Sequence, residues 1–356
     1  MNDKSVPLLI KERQFCAEIL PRVSRTFAVN IGFLKGELHE AVLCSYLFCR
    51  MIDTLEDSPN LDVSQKVALL EEWSRFFPFE NQPVFLQRIR LLGEQKLLTE
   101  NRFETELIMN AEKVFTLYRS FATPVQEMIL IWIREMAKGM AEFQTRSVTG
   151  VYPTCLKNMD DLEKYCYYVA GTVGHLLTEL FCYFLQDISE IAREIMRQTA
   201  NSFGLGLQIT NIIKDAQSDK KRNWCFIPES LMLEHHLTPQ NFYEEINSFQ
   251  RAKTMLELIT HTVPKLDEAL SYSLAIPSEA KEIRLFCLLP VHFAIQTLVK
   301  AKKHFENKEF DQIKISRSRV KGTVILTRLT YFSDFFQRHF YRYYRNQLNQ
   351  NLRIKN

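Results

Sequence analysis

Along most of this chain apolar residues recur at spacings of three and four. Ile129, Trp132, Ile133, Met136, Met140 and Phe143 form the clearest run, which lays one apolar stripe along a helix. Strand-like alternation is nowhere sustained, so the predicted class is all-α. Pro7, Pro21, Pro59, Pro78, Pro83, Pro124, Pro153, Pro228, Pro239 and Pro277 divide the chain into helical segments. Pro264 and Pro290 instead fall inside helical patterns and predict kinks. Asp57 to Asp62, Arg146 to Asn158 and Gln217 to Pro228 read as loops.

Composition narrows the partners. With 46% hydrophobic residues and 26 Phe, 356 residues can build a large core, and only 10 Gly argues against a loop-rich or β-sandwich fold. The formal charge of +3 is near balance, which recommends no nucleic acid as a partner. Eight Cys, at 16, 44, 49, 155, 166, 182, 225 and 287, form no Cys-x-x-Cys pair and sit mostly among apolar residues, as buried thiols do in a reducing, cytoplasmic setting. The N-terminus mixes charges and lacks a secretory apolar core. No run of about 18 uninterrupted apolar residues occurs, so the chain is expected to be soluble or peripheral to a membrane.

Two segments carry the same arrangement of polar groups. Tyr46, Arg50, Asp53 and Asp57 stand at i, i+4, i+7 and i+11, and Gln208, Asn211, Asp215 and Asp219 at i, i+3, i+7 and i+11. At 3.6 residues per turn each set lines one helix face. Two aspartates at i, i+4 repel by roughly 0.2–0.5 kcal/mol. A single pair of this kind more often marks a solvated helix face. Both segments, however, follow strongly apolar stretches, Ala41 to Cys44 and Phe203 to Leu207, which puts the acids on largely buried helices. Two such faces across one cavity suit Mg²⁺, which takes one or two carboxylates and completes its shell with water and phosphate oxygens. Glu56, three residues after Asp53, can serve the same cluster. Arg25, Arg50 and Lys214 can bind phosphate, and Lys220 to Arg222 can close over it, although a salt bridge to Asp53 or Asp57 explains Arg50 as well.

Five ordered motifs carry a family resemblance. Ser24-Arg-Thr-Phe27, Asp53-Thr-Leu-Glu-Asp57, Tyr165-Cys-Tyr-Tyr-Val-Ala-Gly171-Thr-Val-Gly174, Asn211-Ile-Ile-Lys-Asp215 with Asp219, and Phe286-Cys-Leu-Leu-Pro290 resemble, in order and spacing, the squalene and phytoene synthase family, especially its squalene synthase branch. The likeness runs from about residue 15 to about residue 325. It implies one large helical domain of the isoprenoid synthase type over residues 1–356, built around a central cavity. It implies two farnesyl diphosphates condensing head to head to presqualene diphosphate, which is then reduced to squalene with NADPH. Same-fold relatives stop at presqualene diphosphate, dehydrosqualene or phytoene without NADPH, and a non-catalytic isoprenoid-binding descendant is the remaining reading.

The resemblance also implies roles. Asp53, Glu56, Asp57, Asn211, Asp215 and Asp219 would hold Mg²⁺, and Tyr165 would move a proton or steer a cation. Ser24, Arg25, Phe27, Tyr46, Arg50, Tyr168, Val169, Gly171, Gln208, Asn211, Lys214, Phe286, Cys287 and Pro290 would contact substrate. Arg50, Asn211 and Lys321 would meet NADPH, with Lys321-Gly322 a loose match. Gly204-Leu-Gly206 lies in a helical pattern and is no dinucleotide fingerprint. Gly171 and Gly174 each cost a helix about 1 kcal/mol relative to Ala, which points to a cavity wall or a close helix crossing.

Residues 331–356 are expected to form an aromatic, basic helix and polar tail with no transmembrane anchor. Eight aromatics between Tyr331 and Arg345 alternate with Arg338, Arg342 and Arg345. Phe332, Phe335 and Phe336 are expected to dock on the core, the others being available for transient membrane-surface contact. A monomer is the expected state.

Overall fold

The computed structural model describes residues 5–78, 82–146, 154–185, 187–220 and 224–349. Their class is all-α, and their contacts group into two compact units. The first comprises Met1–Thr149 with Leu176–Gln186, the second Gly150–His175 with Asp187–Asn356.

The first unit contains α1 (Ser5–Val23), α2 (Arg25–Ile31), α3 (Gly36–Glu56), α4 (Val63–Phe76), α5 (Gln82–Glu94), α6 (Arg102–Met109), α7 (Ala111–Arg119) and α8 (Thr123–Arg146). Gly36 adopts a φ of +59°, a conformation that is inexpensive only for glycine, and turns the chain into α3. α4 starts on a reciprocal capping box between Asp62 and Gln65. The core is aromatic. Phe48 of α3 lies 4.9 Å from both Phe77 and Phe115 and 5.9 Å from Tyr118, with Trp73 stacked beside Phe77. The stripe expected on α8 is buried at Ile129, Ile133, Met136, Met140 and Phe143. Pro21 does not end a helix as expected. It sits in the last turn of α1, which runs on only to Val23.

The second unit contains the strand β1 (Thr154–Cys155), α9 (Met159–Cys166), a π-helical turn at Tyr167–Gly171, α10 (Thr172–Phe184, whose later part belongs to the first unit), α11 (Glu190–Asp219), the strand β2 (Trp224–Cys225), α12 (Glu229–Leu233), α13 (Ser248–Ala275), α14 (Lys281–Glu306), α15 (Arg317–Thr330) and α16 (Asp334–Leu348). α11 extends to Asp219, past the expected start of a loop at Gln217. β1 and β2 pair in parallel, Thr154 with Trp224 and Cys155 with Cys225. All eight cysteines are free thiols, as expected.

Glycines set the closest approaches in this unit. A Cβ on Gly204 of α11 would lie 2.3 Å from the Ala170 carbonyl oxygen, and one on Gly171 would lie 2.4 Å from Asn201 Oδ1. Gly171 and Gly174 therefore mark a helix crossing, and the helix runs on through them. α13 and α14 likewise continue through Pro264 and Pro290.

α14 is long and apolar enough by composition to cross a membrane, yet 83% of its apolar window is buried. Interspersed charges hide it from a search for uninterrupted apolar runs. Its Arg284, 3% exposed, donates to the carbonyls of Tyr331 and Ile276 and pairs with Asp334, which ties α16 down. Tyr341 and Arg345 of α16 bond Asp267 of α13 at 2.9 Å. The docked face of α16 thus carries Gln337 and Tyr341. Phe332, Phe335 and Phe336 are 60%, 71% and 53% exposed, which corrects the expectation that they pack on the core. The helical phase set by the Arg284 and Asp267 anchors turns them outward.

Candidate active site

In the first unit, Tyr46, Arg50 and Asp53 follow one another along α3. Asp57 caps it in a helical conformation, its N–H bonded to the Asp53 carbonyl at 2.8 Å, so the i+4 phase persists past the helix end. Arg50 is the hub. It donates from Nη2 to Tyr46 Oη at 3.1 Å, while Nη1 lies 3.9 Å from Asp53 and 4.0 Å from Glu104. Burial is the largest single influence on the Arg50 guanidinium and would depress it, but Asp53, Tyr46 and Glu104 together outweigh it and hold the group above its ordinary value. The Tyr46 phenol is raised by burial, with Arg50 and a hydrogen bond from Ser24 pulling it partly back. Phe27 stands 5.0 Å from the Tyr46 ring, and Ser24 caps α2 by accepting from the Phe27 N–H. Arg25 opens α2, but its side chain lies outside the described residues.

Asp53 is half-buried and Asp57 exposed, whereas Glu56 is buried and accepts from Gln144 of α8 at 3.4 Å. Glu104 joins the Arg50 cluster from α6. No spacing signal marks it, because it meets Arg50 only through packing.

In the second unit, α11 presents Gln208, Asn211, Asp215 and Asp219. Lys214 supplies a local cation, its Nζ lying 3.1 Å from both Asn211 Oδ1 and Asp215 Oδ2. Asp219 is 6% exposed at the helix end. Close by, Tyr243 donates to the Ala216 carbonyl at 3.1 Å, and burial, Cys225 and Asp219 all raise its phenol. Lys220 lies 5.1 Å from the Tyr243 ring, and Lys221 and Arg222 fall outside the described residues.

Tyr165, almost buried in α9, stacks on Phe226 at 4.8 Å, and Phe226 stacks on Trp224 at 5.2 Å. Tyr168 and Val169 lie on the π-helical turn that ends at Gly171, a feature concentrated at functional sites. Phe286 and Cys287 are buried in α14 beside half-buried Pro290. Lys321 stands on the exposed side of α15, and among the described residues no hydrogen bond or ion pair joins it to Asn211.

Among the described residues no three His, Cys, Asp or Glu side chains converge as a ready metal cage. The donors of both faces are hard carboxylate and amide oxygens, exposed or half-buried except for the buried Asp219. That donor set fits Mg²⁺, which keeps water and recruits phosphate oxygens instead of occupying an all-protein cage.

A family model described as squalene/phytoene synthase matches residues 20–319. Squalene synthase of Rattus norvegicus is 30% identical over 287 residues, covering 80% of this chain and 62% of that protein. Squalene synthase of Homo sapiens is 30% identical over 283 residues, with the same shares. The chain thus spans about 62% of the length of these curated relatives. Among solved structures, TcSQS with the ligand BPH1237 superposes with a TM-score of 0.79 at 23% identity, covering 97% of this chain and 94% of that one. A dehydrosqualene synthase in complex with ligand gives 0.58 at 19%, covering 90% and 96%.

Proposed function

The chain belongs to the squalene/phytoene synthase family, and from that premise we propose that it is a Mg²⁺-dependent prenyltransferase that joins two farnesyl diphosphates head to head, forming presqualene diphosphate and then squalene. The observation that carries this reading is the repetition of one acidic helix face on α3 and on α11, each with its own internal cation, Arg50 or Lys214.

Ionising an allylic diphosphate breaks a C–O bond and sends the electron pair out with inorganic diphosphate. Mg²⁺, when bound, supplies the positive charge that this leaving group needs. Asp53 of α3 and Asp57 at its end would each serve as a ligand, as would Asn211, Asp215 and Asp219 of α11. Arg50 and Lys214 already stand against those acids and can turn their N–H groups to phosphate oxygens. Phe27 and Tyr46 offer ring faces to a carbocation at about 0.5–2 kcal/mol each. Tyr165, fixed by its stack on Phe226, is the proposed residue for proton removal or cation steering. Glu56, three residues after Asp53 and accepting from Gln144 at 3.4 Å, would serve the same metal cluster.

Reduction with NADPH rests on the family alone. Asn211 and Lys321 share no hydrogen bond or ion pair among the described residues, and Arg50 is engaged by Tyr46, Asp53 and Glu104. The same reading places the protein in the cytoplasm as a monomer, a setting supported by its eight free thiols. It also includes transient membrane contact through the exposed residues Ile325, Leu329, Phe332, Phe335 and Phe336 beside Arg338 and Arg342.

The test is incubation of the purified protein with farnesyl diphosphate and Mg²⁺, with and without NADPH, and mass spectrometry of the extracted products. Squalene formed only with NADPH is the expected result. Presqualene diphosphate or dehydrosqualene regardless of NADPH would leave the condensation and remove the reduction, and no product from any prenyl diphosphate would overturn the reading.

A further inference from the structure

The pairing of β1 with β2 sets two cysteines side by side. In the parallel register Cys155 stands directly opposite Cys225. Neighbouring strands run about 4.8 Å apart, inside the window of about 4.4–6.8 Å that a disulfide spans between Cα atoms. The side chains converge as well. Cys155 Sγ lies 3.1 Å and Cys225 Sγ 3.9 Å from the same Ile227 carbonyl oxygen, and the two thiols hydrogen-bond each other. Tyr243 joins them, its Oη 3.7 Å from Cys225 Sγ.

Exposure divides the pair. Cys225 is fully buried, whereas Cys155 is half-buried and reaches solvent. A small oxidant can therefore meet Cys155 but not Cys225, which stands within reach of whatever forms on Cys155. An attacking thiol and a resolving thiol need that arrangement. Burial among apolar residues accounts for either thiol singly. It does not account for their registration across two strands that are each only two residues long.

We infer that Cys155 and Cys225 are a redox-active pair that closes reversibly to a disulfide, with a low-molecular-weight disulfide of the glutathione class as the oxidant. The inference does not depend on the proposed reaction. The Cys155 sulfur gives up its proton and attacks one sulfur of glutathione disulfide, whose S–S bond breaks and releases one glutathione. Cys225 then gives up its proton and displaces the second glutathione from Cys155. Two S–H bonds of the protein are exchanged for one S–S bond, and the two electrons and two protons leave with two glutathiones. In a reducing setting the pair rests as the dithiol. Closure would pin β1, which leads into α9 and Tyr165, to β2, which leads into Phe226.

The full chain, equilibrated in buffers from reduced to oxidised glutathione and then denatured and alkylated, tests this. The wild type is expected to lose two of its eight alkylatable thiols, with peptide mapping joining Cys155 to Cys225. The oxidised chain is expected to melt several degrees higher than the reduced one, because the bridge closes a long loop. Dithiothreitol should restore both the thiols and the lower melting point. Cys225→Ala should keep glutathione on Cys155 as a lasting mixed disulfide, and Cys155→Ala should take up none at Cys225. A wild type that stops at a glutathione adduct on Cys155, bridges other cysteines first, or closes the bridge only in urea would overturn the inference. Equal melting of the oxidised and reduced chains would overturn it too. If either variant fails to fold, the wild-type mapping and melting decide.

Discussion

The carbonyl oxygen of Ala200 lies 2.1 Å from where Gly174 would carry a Cβ. Backbone meets backbone at that point, so neither partner can yield by a rotamer change. Gly174→Ala should force α10 and α11 apart at a cost of about 3 kcal/mol, and Gly204→Ala, facing the Ala170 carbonyl, should behave alike. Urea unfolding measures both. A loss under about 0.5 kcal/mol, the range of a neutral surface change, would show that the crossing is looser than the structure has it.

Asp53 and Asp57 allow the metal proposal to be tested apart from folding. Each is reached by solvent, so Asp53→Asn and Asp57→Asn should leave the urea midpoint nearly unchanged. Turnover of farnesyl diphosphate should fall by about 100-fold or more, with an increased requirement for Mg²⁺. Near-normal turnover in either variant would remove that aspartate from the metal set.

His292 should make stability depend on pH. Gln337 gives its amide hydrogen to Thr330, so its Oε1 accepts from His292 Nε2 at 2.8 Å, while His292 Nδ1 is buried with no partner. Protonation there would bury a cation. Desolvation accordingly lowers this histidine from 6.5 to about 4, against a smaller upward pull from Gln337. The unfolded chain therefore binds more protons between those values, so stability is complete above about pH 6.5 and is lost as the pH falls toward 4, by up to about 3 kcal/mol. Urea midpoints at about pH 7 and about pH 5 should differ in the wild type and differ less in His292→Gln. Equal slopes would assign the effect to other groups.

The exposed ridge on α15 and α16 offers a further separation. Phe335→Ser with Phe336→Ser should reduce co-sedimentation with phosphatidylserine vesicles, and Arg338→Glu with Arg342→Glu should reduce it most at low salt, the difference from wild type shrinking as salt rises. Neither pair should shift thermal unfolding much, because the docked face of α16 is carried by Gln337 and Tyr341. Equal vesicle binding by all variants would exclude this ridge as the contact.

Features that depend on local periodicity were legible without coordinates. The all-α class, the buried stripe of α8 and the phase of the aspartates on α3 and α11 follow from residues three and four apart. Features that depend on remote packing were not. Glu104 meets Arg50 across 54 positions of chain, Gln144 turns Glu56 inward across 88, and the π-helical turn before Gly171 reflects the fit against α11. The phase of Phe335 and Phe336 leaves no local signal, because Arg284 and Asp267, which fix α16, lie far upstream.

The burial of α14 bears on how the chain is made. Its inner cover, α11 and α13, precedes it in synthesis, while its outer cover, α15 and α16, follows. A growing chain therefore exposes a segment with the composition of a membrane span before the segments that seal it have emerged. Nascent chains should engage holdases or insertion machinery over that interval, and dilution from denaturant should aggregate most readily if α15 and α16 are slow to settle.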